Sequence, residues 1–203
     1  MVKSPAYLIA AVLTAIPVKL LFRLRVTGKE HLPRTGGYVL SANHISNIDP
    51  WPLGIPLLPR ELRFMAKAEL FRSPLWPILK FGGAFRVERG RGDEQAIETA
   101  IRLARAGEVV AIFPEGTRRQ KGLVKKFEAR AHTGAARVAL AAGVPLIPAA
   151  IAGTNRLLRL GPFRVAYGPP VELDDLREVE PREAAQVATE RLMAEIGKLE
   201  AAL

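Results

Sequence analysis

The chain has 203 residues, 49% hydrophobic and 25% charged, which suits one domain with a sizeable core, or one domain plus a terminal accessory element. It has no Cys and three His. That removes disulfides, thiolate catalysis and Cys-ligated zinc, and the lack of a His-x-x-x-His pair argues against a dedicated transition-metal site. The net charge of +10 is uneven: Arg60–Arg91 and Thr117–Arg137 are strongly basic, while Pro170–Leu203 holds nine acids against four bases. A basic middle predicts a surface that attracts phosphate, whether of nucleic acid, anionic lipid or a phosphorylated metabolite.

Ala6–Phe22 is almost wholly apolar but carries Pro17 and Lys19. It is shorter than the roughly 20 apolar residues a spanning helix needs. No clear small-x-small cleavage site follows it. With Lys3, Lys19, Arg23, Arg25 and Lys29 around it, the run reads as a helix that dips into or lies on the cytoplasmic leaflet, the alternative being an ordinary buried helix. Leu24–Thr27 and Tyr38–Ala42 are predicted strands joined by a Pro/Gly turn. Asp49-Pro50 reads as N-cap and first turn of a helix toward Leu58. Leu62–Ala66 is a short strand, and Glu69–Phe81 a helix broken at Pro74 and Pro77. Ala84–Val87 is a strand. Asp93 opens a helix whose Ala96, Ile97, Ala100, Ile101 and Ala104 repeat at helical spacing up to Gly107. Val109–Phe113 is a buried strand, Thr133–Ala142 an Ala-rich helix ended by Gly143, and Pro145–Ile151 and Phe163–Tyr167 are strands. Pro181 begins a last helix with Ala185, Ala188, Leu192, Ile196 and Leu199 on one face. Alternating strands and helices predict an α/β domain, a mixed sheet flanked by helices, over residues 24–203, with residues 1–23 forming the N-terminal membrane-associating helix.

In such folds ligands sit at the carboxyl ends of strands. His44, Arg89 and Glu115 each directly follow a predicted strand. His44 and Asp49 lie five residues apart, about 140° around a continuous helix, so they meet only if the chain turns between them. Ser46, Asn47 and Pro50 permit that turn. Asp49 would then orient one ring nitrogen of His44 and leave the other to act as a base; otherwise Asp49 is a plain helix cap. Arg89 leaves its strand where a guanidinium can grip a phosphate bidentately, or is simply solvated. In Phe113-Pro114-Glu115-Gly116-Thr117-Arg118 a buried strand runs into an acid, a Gly that permits positive φ, and two polar donors. Val144-Pro145-Leu146-Ile147-Pro148 is a strand bracketed by prolines, which predicts an edge position or the wall of a ligand site, core packing being the alternative.

The ordered set resembles the glycerolipid acyltransferases of the lysophosphatidate (1-acylglycerol-3-phosphate) acyltransferase type, which share four blocks. Asn-His-x-Ser-x-x-Asp is matched at Asn43–Asp49, Gly-x-Phe-x-x-x-Arg at Gly83, Phe85 and Arg89, Phe-Pro-Glu-Gly-Thr-Arg at Phe113–Arg118, and the Pro-bracketed strand at Val144–Pro148. The resemblance implies transfer of a fatty acyl group from a thioester, on coenzyme A or acyl carrier protein, to the hydroxyl of lysophosphatidate, giving phosphatidate. It implies His44 as general base and Asp49 as its orienting acid. Arg89, Glu115, Gly116, Thr117 and Arg118 would hold the glycerol phosphate, and no covalent acyl-enzyme, bound metal or permanent cofactor is needed. Lys121, Lys125 and Lys126 would meet coenzyme phosphates or lipid headgroups. The partners implied are an anionic membrane surface and a lysophospholipid, with the protein peripheral or monotopic on the cytoplasmic face of the cell membrane.

The sequence departs from the family pattern at Arg119, where a Ser is common, and after Phe127, where Phe-Lys-x-Gly is common. There Glu128 follows Phe127, and the Gly arrives later in His132-Thr133-Gly134. His132 then either replaces the Lys or caps the Ala-rich helix. Acylation of glycerol 3-phosphate or another lysolipid remains open, as does, in a different class, a non-catalytic anionic-lipid-binding protein. Nucleic-acid binding rests on charge alone and lacks aromatic runs or a reading-helix fingerprint.

Overall fold

The structure is a computed structural model that describes residues 5–72, 74, 79, 82–87, 93–116 and 131–203. The predicted strands become β1 (Arg25–Thr27), β2 (Tyr38–Ala42), β3 (Leu62–Lys67), β4 (Ala84–Val87), β5 (Val109–Ile112), β6 (Leu146–Ala152) and β7 (Arg164–Tyr167). The helices are α1 (Pro5–Leu21), α2 (Pro50–Gly54), α3 (Asp93–Arg105), α4 (Gly134–Ala142) and α5 (Pro181–Ala202). Helix α2 runs into a 3-10 turn over Ile55–Leu57, close to the predicted stop at Leu58. Of the broken helix predicted for Glu69–Phe81, a 3-10 turn over Ala68–Arg72 is seen; most of the rest lies outside the described residues.

The strands form one sheet in the order β1-β7-β6-β2-β5-β3-β4. Strands β6, β2, β5, β3 and β4 run parallel to one another, whereas β7 is antiparallel to β6 and parallel to β1. The sheet is therefore mixed, with its parallel part in the middle, and the carboxyl ends of β6, β2, β5, β3 and β4 lie along one edge. Parallel strands covered on both faces must be apolar throughout. Accordingly β2 and β5 are buried along their whole lengths. On one face Val39, Val110, Ile112 and Leu146 pack against the small residues of α3 and α4 and against Leu192 and Ile196 of α5. On the other, Leu40, Ala111, Ile147 and Tyr167 pack with Leu53, Leu57 and Leu62.

Helix ends follow their local chemistry. The Gly143 backbone, at φ 67°, closes α4 in the left-handed region, and the Glu180 side chain accepts from the amides of Arg182 and Glu183 to start α5.

The Pro-bracketed strand does not lie at an edge: β6 is flanked by β7 and β2. Pro148 is tolerated there because its missing donor falls on the β7 side, at the end of that strand. The Pro148 carbonyl still accepts from Gly168 N at 2.9 Å, just beyond Tyr167. Only the reciprocal bond of that last pair is lost.

Helix α1 stands apart from this packing. Ile9, Val12, Leu13, Ile16 and Leu20 are 53–72% exposed, while Ala15 is buried. An ordinary buried helix is therefore not what this apolar run forms. Its junction with the body is tied by Phe22 stacked on Phe163 at 4.3 Å and by Phe163 N donating to Phe22 O at 2.8 Å. Among the described residues no helix is long and apolar enough to cross a membrane.

Candidate active site

Strand β2 ends at Ala42, and the next two residues do different jobs. Asn43 is buried, and its amide reaches across to β6. Its Nδ2 donates to Ile151 O at 3.0 Å, and its Oδ1 accepts from Ile151 N at 2.8 Å. One side chain thereby mimics a strand partner and locks the β2–β6 register beside the site. On the opposite side Ser41 Oγ donates to Ile112 O at 2.8 Å, tying β2 to β5.

His44 follows. Its Nδ1 is 2.8 Å from Asp49 Oδ2, so the predicted turn between them exists. The same oxygen accepts from Ile45 N and Ser46 N, each at 2.8 Å. Asp49 occupies the N-cap position of α2, with Pro50 next, yet makes no side-chain cap bond; its carboxylate points back at residues 44–46 instead. The plain helix-cap reading of Asp49 is thereby set aside. Because Oδ2 already accepts from two amides, it acts as an acceptor toward the ring as well, with Nδ1 as the donor. No described residue hydrogen-bonds Nε2. The Asp49 side chain is fully buried and that of His44 is 18% exposed, so the pair places its acid inside and its ring at the surface.

The neighbouring strand supplies a wall. Pairing of Ser41 with Ile112 sets Phe113 beside His44, and the two rings stack at 4.2 Å with an interplanar angle of 19°. After Phe113 the chain turns sharply, with Gly116 N donating to Phe113 O at 3.1 Å. Glu115 is buried on this turn. Gly116 has φ 65°, and a Cβ there would lie 2.7 Å from the His132 ring, so both conformation and space demand glycine. His132 does not cap α4, whose N-cap is Thr133; it is held to the Phe113–Gly116 turn by its own N donating to Pro114 O at 2.7 Å.

His44, Asp49, Glu115 and Gly116 thus gather at the carboxyl ends of β2 and β5, as expected for this topology. Arg89, Thr117 and Arg118 lie outside the described residues, as do Arg119, Lys121, Lys125, Lys126, Phe127 and Glu128. One participant was missed from sequence. Thr154 is 1% exposed, and its hydroxyl donates to Asp49 Oδ1 at 2.5 Å. The rule that flagged His44 and Glu115, a polar residue just past a strand, applies equally to Thr154 after β6.

A family model described as Acyltransferase matches residues 23–152, from the turn before β1 to the end of β6. The chain belongs to the acyltransferase family. Among curated family members, the 1-acyl-sn-glycerol-3-phosphate acyltransferase of Bacillus subtilis (strain 168) is 33% identical over 181 residues, covering 87% of this chain and 88% of the relative. A Borreliella burgdorferi protein of the same name is 30% identical over 140 residues; that match spans 66% of this chain and 52% of the relative. The crystal structure of the 1-acyl-sn-glycerophosphate (LPA) acyltransferase PlsC from Thermotoga maritima shares the fold, with a TM-score of 0.68 at 24% identity, covering 95% of this chain and 79% of that one. The stretch matched by the acyltransferase model holds His44, Asp49, Phe113, Glu115 and Gly116 but stops two residues short of Thr154.

Proposed function

We propose that the protein is an O-acyltransferase that moves a fatty acyl group from an acyl thioester to the free hydroxyl of lysophosphatidate, giving phosphatidate for phospholipid biosynthesis. The carrying observation is the His44–Asp49 pair, 2.8 Å apart at a strand end, with the second ring nitrogen bonded to no residue among those described. The relatives named 1-acyl-sn-glycerol-3-phosphate acyltransferase support the choice of acceptor.

In this reading His44 Nε2 takes the hydroxyl proton as the acceptor oxygen attacks the thioester carbonyl carbon. The carbonyl π electrons move to oxygen, giving a tetrahedral intermediate. Its collapse expels the thiolate, which takes the proton back from His44, leaving an ester and a free thiol. Asp49 keeps Nδ1–H in place throughout and carries the charge complement while the ring holds two protons. General-base assistance supplies about 10²–10⁴-fold; positioning of the two substrates supplies the remainder. The phosphate-holding roles of Arg89, Glu115, Gly116, Thr117 and Arg118 belong to the same proposal, as does the use of acyl-CoA or acyl carrier protein as donor, with no resident cofactor.

Residues 1–23 act as a membrane-associating element and residues 24–203 as the catalytic domain. Support comes from Ile9, Val12, Leu13, Ile16 and Leu20, which fall at helical spacing on α1 and stand exposed. Laid on the cytoplasmic face of the cell membrane, that stripe would bury in the bilayer beside Lys19, Arg23 and Arg25. The protein is then peripheral or monotopic, and it meets its lipid acceptor at that surface.

The test is thiol release from acyl-CoA and product mass with purified protein, across a panel of acceptors. His44→Ala is expected to cut turnover with lysophosphatidate by about 10²–10⁴-fold. Turnover near wild type would remove His44 as the base. Preference for another acceptor would redirect the substrate.

A further inference from the structure

We propose that Thr154 is a positioning residue of the acyl transfer: its hydroxyl holds the Asp49 carboxylate against turning about Cβ–Cγ and, through it, steadies the aim of the His44 ring. This rests on the reading of His44 as the base.

The geometry of Asp49 carries the inference. Three donors, His44 Nδ1, Ile45 N and Ser46 N, converge on the single atom Oδ2, each at 2.8 Å. The carboxylate turns about its Cβ–Cγ bond, and such a turn swings Oδ2 away from Nδ1–H and moves Oδ1 at the same time. Thr154 Oγ1 binds Oδ1 at 2.5 Å, so the turn is resisted at both oxygens and not at Oδ2 alone. Asp49 and Thr154 are both buried, so water does not compete for Oδ1.

The scaffold holds Thr154 as firmly as it holds the dyad. The Asn43 side chain clamps both backbone groups of Ile151, three residues before Thr154 and one residue before His44 in β2's own continuation. Gly153 then turns the chain at φ +91°; a Cβ there would fall 2.3 Å from Pro162 O, so only glycine brings the next residue back toward Asp49. Asn43 therefore sets the spacing between the strand end that bears His44 and the strand end that bears Thr154. A threonine with only a packing role needs no donor aimed at a buried carboxylate.

The experiment is steady-state kinetics of the full chain with acyl-CoA and lysophosphatidate for Thr154→Val, Thr154→Ser, Asp49→Ala and the Asp49→Ala/Thr154→Val double variant, with folding checked by circular dichroism. Thr154→Val is expected to lower kcat by about 10–100-fold, the cost of a misaimed catalytic group, with KM for both substrates nearly unchanged. Thr154→Ser restores most of the loss, and adding Thr154→Val to Asp49→Ala costs nothing further. A wild-type kcat for Thr154→Val, a Ser variant as impaired as the Val variant, or an additive loss on the Asp49→Ala background would each overturn the proposal. Should Thr154→Val fail to fold, Thr154→Ala takes its place in the same cycle. The His44 Nδ1 proton resonance gives a second readout, expected to shift or exchange faster without the hydroxyl and to persist in Thr154→Ser. His44→Ala run alongside separates the two ideas: turnover near wild type there defeats the base reading itself, whereas an unaffected Thr154→Val defeats only the positioning role.

Discussion

Helices α1 and α5 make an instructive pair. Helix α1 is apolar nearly throughout, yet Leu13 is 65% and Leu20 72% exposed. Helix α5 is rich in Glu, Arg and Lys, yet Leu192 and Ile196 are completely buried against the sheet. Composition alone ranks them the wrong way round for burial. What differs is pattern and partner: α5 gathers Ala184, Ala185, Ala188, Leu192 and Ile196 into one stripe that fits the face formed by β2, β5 and β6. The two core clusters of the described residues are built on the sheet's faces with α3, α4 and α5 on one side and α2 with its 3-10 turn on the other, and no residue of α1 belongs to either. In the function proposed above, this exposed stripe is the lipid-facing surface.

Three changes sharpen that contrast, beginning with the largest effect. Replacing Ile16 and Leu20 together by Glu is expected to weaken binding to anionic vesicles by about a hundredfold, since each buried CH₂ group lost from lipid costs about 0.8 kcal/mol. Turnover with a short-chain, water-soluble acceptor stays near wild type, because the dyad is built entirely within the body. Vesicle sedimentation alongside the soluble assay checks both halves. Unchanged vesicle binding would remove α1 as the lipid contact.

Next, Leu192→Ala is expected to destabilise the fold by about 2–5 kcal/mol, the usual cost of emptying a packed core site. Leu13→Ala, on the exposed stripe, should change stability by less than about 0.5 kcal/mol. Denaturant unfolding of the two variants reads the difference directly. Equal losses would show α1 to be part of the core after all.

The smallest effect is alkaline. Burial pushes the Tyr38 hydroxyl up to about 12, partly opposed by the nearby Arg60 guanidinium, and burial raises Tyr167 well above its ordinary value too. A group that holds its proton more tightly when folded contributes stability that is complete below the unfolded pKa near 10 and is lost as pH rises toward 12. For Tyr38 alone the loss is about 1 kcal/mol by pH 11. Titration of tyrosinate absorbance should show these two rings ionising only as the body unfolds, and Tyr38→Phe should flatten part of the stability decline. Ionisation of both rings near pH 10 in the folded protein would contradict their burial.

Much of the site was legible in the linear chain. The His44–Asp49 spacing excludes a shared helical face, so a turn between them was required, and it is there. Gly116 permitted a positive φ, and its left-handed backbone close to the His132 ring uses that freedom. What misled was local. Proline in a strand argued for an edge, but the single missing donor of Pro148 falls where β7 has ended, so an internal strand accommodates it. Asp49 followed by Pro50 looked like a cap, but four donors compete for its carboxylate and none of them is the amide of a following α2 residue.

The amino-acid sequence by itself determined most of the elements, their order, the α/β class and the pairing of His44 with Asp49. Each of these depends on neighbours a few residues away, through period, caps and turns. Only the tertiary structure decided that β2 lies between β6 and β5, that Phe113 stacks on His44, that Asn43 clamps Ile151, and that Thr154 reaches Asp49 across 105 residues of chain. Parallel pairing joins segments distant in sequence, and its choice depends on how all the strands and helices bury their apolar faces at once. It also decided that the Ile9–Leu20 stripe of α1 lies exposed, because that depends on where the rest of the chain packs.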